Sequence, residues 1–227
     1  MTLDFDVVSR SLPYLWKGFL YTVELTAVAA VGGLFFGTLL ALARLSPMKW
    51  LSTLAAGYVN LMRSIPLVLV LFWFFFLMPQ VLQMMTGGDR PPQIGAERTA
   101  LITFIMFEAA YFCEIMRAGI QSIPRGQVHS AYALGLTYGQ SMRLVILPQA
   151  FRNMIPVLLT QTIILFQDTS LVYVISATDF TGAASKIAQR DGRLIEMYLF
   201  VAIVYFVLCY TLSIGVKHLQ KKIAVIR

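Results

Sequence analysis

Long uninterrupted apolar runs are the feature that most restricts how this chain can fold. A run of about 20 apolar residues crosses the hydrocarbon core of a bilayer as an α-helix. The runs are too long for β-strands and show no two-residue alternation. Of the 227 residues, 58% are apolar and only 13% are charged, whereas a soluble domain has about 25% charged residues. The sequence therefore predicts an all-α integral membrane protein.

The apolar runs predict five transmembrane helices within a single domain, residues 1–227. Residues 5–17 precede the first run, and their Leu, Tyr and Trp side chains are typical of a short segment at the membrane interface. A long polar connection, residues 118–155, separates the third and fourth runs. The predicted spans are 18–43, 55–78, 99–117, 156–177 and 196–216.

The distribution of basic residues predicts the orientation of the chain. An odd number of spans places the two termini on opposite sides of the membrane. The 44–54 and 117–155 loops and the C-terminal tail carry ten Lys or Arg residues, against seven at the opposite ends of the spans. Because loops rich in Lys and Arg stay in the cytoplasm, we expect a periplasmic N-terminus and a cytoplasmic C-terminus.

Several classes of chemistry are disfavoured by what the sequence lacks. Cys113 and Cys209 both lie in apolar runs, and His129 and His218 are far apart, so neither a disulfide framework nor a metal site is predicted. No lysine follows a glycine, so the phosphate-binding P-loop is missing. We therefore expect the chain to bind no cofactor and no ATP. An intramembrane enzyme is disfavoured because neither histidine lies in the middle of a span.

Residues 118–155 are predicted to form a helical hairpin, since a structureless loop of that length is unusual. The first helix runs from Arg125 to Leu134, and Gly135 follows it as a left-handed C-cap. The second starts at Thr137, where Gln140 completes a capping box, and ends near residues 147–148. From the residues alone, a hairpin resting on the membrane surface and a docking knob for a soluble partner are equally consistent.

The same segment resembles the cytoplasmic "EAA" loop of ABC importer permeases. That motif is Glu-Ala-Ala, three residues, Gly, nine residues, Ile, one residue and Leu-Pro. The spacing matches in full, while His129 replaces the Glu, Ser130 the first Ala and Val145 the Ile. The resemblance implies that this loop couples the chain to an ATPase through His129, Ser130, Ala131, Gly135, Val145, Leu147 and Pro148.

Further stretches extend the resemblance to permeases that import polar amino acids, most closely those for glutamate and aspartate. They are residues 60–66 (NLMRSIP), 108–111 (EAAY), 114–120 (EIMRAGI), 147–150 (LPQA) and 167–171 (QDTSL). The resemblance implies the type I importer permease fold in a bacterial inner membrane. It also implies a second permease subunit, two ATP-binding subunits that hold ATP-Mg, and a periplasmic amino-acid-binding protein. Nucleic acid is not an expected partner. The alternative is an autonomous channel or secondary amino-acid transporter.

A polar cluster lies inside the fourth predicted span. An ionisable group at bilayer depth usually faces the protein interior or a water-filled path. Asp168 is such a group, and Gln161 lies seven residues earlier on nearly the same helical face. The cluster either forms hydrogen bonds between helices or lines the pathway and pairs with the ammonium of the substrate. Its other members are Gln167, Thr169 and Ser170.

Three further charged positions have two interpretations each. Glu24 in the first span faces either the same cavity or the outer interface. Arg63 either extends to the lipid surface or binds a carboxylate of the substrate or the protein. Glu114 and Arg117 are three residues apart and are predicted to pair along one helix. Composition and spacing do not identify the substrate, so the assignment to glutamate and aspartate comes from the resemblance.

Overall fold

The computed structural model describes residues 5–223, and all of their regular structure is helical. Five helices, α1, α3, α4, α6 and α8 of the list that follows, are long and apolar enough to cross a membrane, which confirms the predicted fold class. In chain order the helices are α1 Asp6–Arg44, α2 Lys49–Ser64, α3 Leu67–Thr86, α4 Ala96–Gln121, α5 Arg125–Ala133, α6 Tyr138–Ile175, α7 Phe180–Asp191 and α8 Leu194–Ile223.

The first helix starts earlier than the apolar run predicts. Residues 5–17 were expected to form a separate interfacial segment, but α1 is continuous from Asp6 and contains Pro13 in its second turn. Val7 and Leu15 are buried against side chains of α7 and α8. This packing holds the first turns of α1 in the helix, and an apolar-run criterion does not detect it because the segment also carries polar residues.

The second predicted span, 55–78, is wrong in its bounds. The backbone is extended at Ile65 and Pro66, so α2 ends at Ser64 and the membrane-crossing helix α3 begins at Leu67. The cause is local, because proline disfavours the helical conformation of the residue before it. Residues 55–64 therefore belong to a separate helix, α2, and Arg63 lies in its last turn.

The turn predicted for the hairpin of residues 118–155 is confirmed, but the predicted end of its second helix is wrong. Gly135 has φ 77°, and the bonds from Gly135 N to Tyr132 O and from Leu136 N to Ala131 O form a Schellman C-cap. Thr137 and Gln140 form the predicted capping box. The second helix does not end near residue 147: it continues through a π-helical turn, Met142–Ile146, into α6.

Pro148 is accommodated in α6 because it follows that π-helical turn directly. A widened turn interrupts the regular ladder of hydrogen bonds from residue i to i−4, so the missing N–H of proline removes no bond there. The fourth predicted span, 156–177, therefore lies within a longer helix, Tyr138–Ile175, and only its last two residues fall outside that helix. The second helix of the hairpin and the fourth span form one continuous helical element.

Close packing of α1 against α4 sets the position of the polar residues in the bundle. A Cβ atom on Gly33 would lie 2.8 Å from the Cβ of Glu108, and one on Gly37 would lie 2.9 Å from Ala109 O. Small residues allow two membrane helices to approach this closely. The remaining spans have bounds near those predicted: α4 is longer than 99–117 at both ends, and α8 is longer than 196–216.

Candidate substrate pathway and coupling surface

Polar side chains occur at three-residue intervals along the second half of α4. They begin in the middle of the span and end near its C-terminus, which leads toward α5. Neighbours at this spacing lie close together on a helix surface. The four residues are Glu108, Tyr111, Glu114 and Arg117.

In the middle of the bundle, Glu108 is paired with α6. Gln161 Nε2 donates to both carboxylate oxygens of Glu108, at 3.3 and 3.2 Å. Asp168 lies on the same helix as Gln161, about two turns further along. Only 1% of Glu108 is exposed, so a buried acidic site is present with a neutral amide as its hydrogen-bond donor. An amine is the ligand that a buried carboxylate favours.

Glu108 was not among the candidate site residues from sequence, although it is an acid inside an apolar run. Of the predicted candidates, Gln161 does contact this site, and its partner is on another helix. Thr169 is buried and donates to Phe166 O at 2.7 Å, so its hydroxyl is used within its own helix. Ser170 is half-buried, whereas Gln167 is exposed.

Glu24 lines a cavity to which Asp168 does not contribute. Glu24 is exposed and lines a cavity of about 190 Å³ between α1 and the beginning of α4. Tyr21, Glu97 and Arg98 line the same cavity. Glu24 is therefore near the opposite end of α4 from Glu114.

Three arginines surround Glu114 at the other end of α4. The predicted pair with Arg117 is confirmed, since both Nε and Nη2 of Arg117 donate to the carboxylate. Arg44, the last residue of α1, also donates to Glu114. Arg63 is more loosely held: its Nη1 is 4.0 Å from Glu114, and its guanidinium carbon is 5.5 Å from the centre of the Tyr111 ring.

The Glu114 cluster has an excess of positive charge, because one carboxylate faces three guanidiniums. Arg63 is also its most exposed arginine, with 39% of the side chain accessible. The structure places the Arg63 guanidinium near a carboxylate of the protein, that of Glu114, and leaves the side chain partly exposed. Arg63 is the arginine of the cluster that can turn toward a further anion without breaking a close ion pair.

The segment that follows α4 exposes a group of large apolar side chains. Leu134 is 81% exposed at the tip of the turn after α5, and Tyr132 and Tyr138 on either side are exposed as well. His129 and Ser130 are also exposed, whereas Ala131 is buried. Val145 and Leu147 are half-buried and Pro148 is exposed on the first turns of α6. Exposed apolar side chains grouped in this way are typical of a surface that binds another protein.

Five helices long and apolar enough to cross a membrane, an internal polar site and an exposed helical hairpin point to a membrane transport protein. Residues 33–225 match the family described as "Binding-protein-dependent transport system inner membrane component". The chain belongs to this family. It is the permease subunit of an ABC importer in the inner membrane.

Two curated relatives illustrate the similarity. The chain is 51% identical over 221 residues to the glutamate/aspartate import permease protein GltK of Escherichia coli O157:H7, covering 97% of this chain and 98% of the relative. It is 34% identical to the probable glutamine ABC transporter permease protein GlnP of Bacillus subtilis, covering 92% and 93%.

Solved structures agree with the fold. A crystal structure of an amino acid ABC transporter with histidines superposes with a TM-score of 0.89 at 31% identity, covering 98% of this chain and 100% of the other. The MetNI methionine ABC transporter in an inward-facing conformation gives a TM-score of 0.70 at 20% identity, covering 94% and 98%. The second similarity supports the fold alone.

Proposed function

We propose that this chain forms the membrane pathway through which an ABC importer moves glutamate and aspartate into the cytoplasm. The observation that carries the proposal is the 51% identity, over nearly the full length of both chains, to a permease named for glutamate and aspartate import. The chain itself acts as a transport subunit and binds no cofactor. ATP-Mg is bound and hydrolysed by two partner subunits.

An acidic amino acid needs an anionic site for its ammonium and a cationic site for its carboxylates, because unpaired charges are costly in a dry pathway. We assign the ammonium to the site formed by Glu108, Gln161 and Asp168. Arg63 supplies the cation, since it is only loosely held by Glu114 and lies over Tyr111, one helical turn from Glu108. This arrangement supplies the positive charge that the sequence did not locate near mid-membrane.

The hairpin formed by α5 and the first turns of α6 is proposed as the ATPase-coupling surface. Leu134 and Tyr138 provide apolar anchors, and the Schellman turn at Gly135 fixes their position relative to α5. Because α6 is continuous from this surface to Asp168, a displacement of the hairpin moves one wall of the substrate site. This continuity is a direct mechanical route from ATPase closure to the pathway.

The remaining elements of the assembly follow from the same proposal. The N-terminus is periplasmic and the C-terminus cytoplasmic, which places the hairpin on the side where ATP is available. A second permease subunit, either another copy or a sister chain, completes the pathway. A periplasmic binding protein delivers the amino acid at the end of the bundle where Glu24 lies.

Uptake into proteoliposomes tests the substrate and the energy source together. The complete importer should accumulate radiolabelled glutamate only with internal ATP and external binding protein, and unlabelled aspartate should compete better than glutamine. Uptake that needs neither ATP nor partners would identify an autonomous carrier instead. Preference for glutamine would contradict the acidic-substrate assignment.

Two variants separate the pathway from the coupling surface. Asp168→Asn should reduce glutamate uptake while leaving assembly and basal ATPase activity intact, because the change removes a charge from the ammonium site only. Leu134→Ser should weaken co-purification of the ATPase subunits, with Leu194→Ser, at an exposed position at the start of α8 and outside the hairpin, as the matched control. Normal uptake by the first variant, or equal loss of ATPase in both serine variants, would contradict these assignments.

A further inference from the structure

Helices α2 and α4 contact each other through polar groups at two points. The hydroxyl of Tyr58 donates to Met106 O at 2.7 Å. Further along both helices, the Arg63 guanidinium lies over the ring of Tyr111, with 5.5 Å between its central carbon and the ring centre. The two contacts are separated by the same number of residues on α2 and on α4, so the helices run side by side in the same direction here.

Tyr58 and Arg63 lie on opposite sides of the buried stripe of α2. Ala55 and Val59 are the buried residues of this helix, and Val59 packs in a core cluster that includes Ala110 of α4. Successive residues of an α-helix are about 100° apart around its axis, which places Tyr58 on one flank of this stripe and Arg63 on the other. Rotation of α2 about its axis therefore moves both side chains together.

Other parts of the chain leave this rotation weakly restricted. The backbone is extended at Ile65 and Pro66, so α3 does not continue α2. The start of α2 is tied to α1 by Ser52, whose hydroxyl donates to Arg44 O at 2.8 Å, but Ser52 is about three turns from Arg63. Tyr58 is a closer anchor, about one and a half turns from Arg63.

The ring of Tyr58 has open space on one side. It lines a cavity of about 440 Å³ between α1, α2 and α4, in which the other lining side chains are apolar. Packing on that side does not hold the ring, so its position depends on the hydroxyl. Met106 O can accept this bond as well as the bond of its own helix, because a carbonyl oxygen has two lone pairs. Breaking the bond in apolar surroundings would leave a polar group unpaired, which is costly.

We propose that Tyr58 is a positioning residue for transport. Its hydrogen bond to Met106 O fixes the rotation of α2 and thereby holds Arg63 over Tyr111, where the guanidinium receives a carboxylate of the substrate. This inference rests on the role of Arg63 in the proposed function. Tyr58 acts through Arg63, so its loss should weaken the interaction with the substrate and leave the later steps of transport unchanged.

Tyr58→Phe in the complete reconstituted importer tests the proposal, because it removes the hydroxyl and keeps the ring. The concentration of glutamate-loaded binding protein that gives half-maximal uptake should increase about two- to threefold, as expected for the loss of one hydrogen bond. The maximal rate and the co-purification of the ATPase subunits should not change. Tyr198→Phe is the matched control, since it also removes a hydrogen bond between helices, from Tyr198 to Ser185 Oγ at 3.2 Å.

The double variant Tyr58→Phe/Arg63→Gln shows whether Tyr58 acts through Arg63. It should have the same half-maximal concentration as Arg63→Gln alone. Additive effects, a lower maximal rate without a change in that concentration, or an equal increase in Tyr198→Phe would overturn the proposal. So would normal uptake by Tyr58→Phe when Arg63→Gln is impaired. Normal uptake by Arg63→Gln would instead contradict the role of Arg63 in the proposed function, and this inference with it.

Discussion

Two glutamates on α4, Glu108 and Glu114, have opposite surroundings although they lie only six residues apart. Glu108 is almost completely buried, and its hydrogen-bond donor is the neutral amide of Gln161. Glu114 is partly accessible, is bound by Arg44 and Arg117, and has Arg63 nearby. A charge that is fully paired stabilises the helix contacts, whereas a buried charge without a cation is available to a ligand. The comparison separates a structural carboxylate from a candidate substrate group.

The largest effect is expected from Glu114→Gln. The change leaves three arginines without their carboxylate and removes the ion pair with Arg44 that joins α1 to α4. We expect a loss of about 2–3 kcal/mol in stability, somewhat below the cost of breaking a fully buried ion pair. Thermal unfolding in detergent measures it, with the exposed Glu97→Gln as the matched control. Equal melting temperatures for the two variants would show that Glu114 does not stabilise the fold.

Asp179 provides a third kind of carboxylate, one held by backbone amides. It caps α7 by accepting from Gly182 N at 2.8 Å and Thr181 N at 3.0 Å. Burial, opposed by these hydrogen bonds, raises the pKa of Asp179 to about 6. Between pH ~4 and ~6 the unfolded chain loses its proton at this position while the folded chain retains it, so this group makes the protein less stable as the pH rises.

The expected measurement compares Asp179→Asn with the unmodified protein across that range. Asparagine is an equally good N-cap and does not ionise. The stability of the variant relative to the unmodified protein should therefore increase from pH ~4 to ~6 by up to about 2–3 kcal/mol and be constant above that. A relative stability that is independent of pH would show that the carboxyl is ionised in the fold at a normal pKa.

Glu108→Gln should affect glutamate uptake rather than stability, whereas Glu114→Gln should affect stability. Removing a buried charge that has no cation should leave the melting temperature unchanged or raise it. Glutamate uptake should fall about tenfold, which corresponds to about 1.4 kcal/mol of lost interaction with the transported amino acid. Uptake and thermal unfolding are measured on the same preparation. A destabilised variant with normal uptake would assign Glu108 a structural role and remove the contrast between the two glutamates.

The smallest effect is expected from Arg63→Gln. Because Arg63 is the loosest of the three arginines, stability should change by less than about 0.5 kcal/mol, as for exposed pairs. The concentration of binding-protein-bound glutamate needed for half-maximal uptake should increase several-fold, with the maximal rate less affected. Lys49→Gln, an exposed cation on α2, is the matched control. A loss of stability as large as that of Glu114→Gln would show that Arg63 stabilises the fold, as the ion pairs of Arg44 and Arg117 do.

Local features were predictable from the sequence wherever the physical cause lies within a few residues. The Gly135 turn, the Thr137 capping box and the Glu114–Arg117 pair are examples. The bounds of helices were harder to predict where an apolar run is interrupted. Pro66 divides the second run into α2 and α3, although hydropathy is continuous across it.

The partners of the candidate site were not predictable in this way. Nothing in the spacing of Gln161 indicates that it donates to Glu108, and nothing near Arg44 indicates that it binds Glu114. Residues 53 and 70 positions apart meet only because α1, α4 and α6 pack together. Without these contacts, Asp168 and Glu24 were the acids assigned to the pathway from sequence, and Glu108 was missed.

The sequence by itself determined that the chain crosses a membrane five times and exposes a capped helical hairpin, because hydropathy and capping act over short stretches of chain. The tertiary structure alone decided which buried charges are neutralised and which remain open to a ligand. The physical reason is that the energy of a charge inside a membrane depends on the groups around it in space. Those groups come from helices that are distant in the sequence.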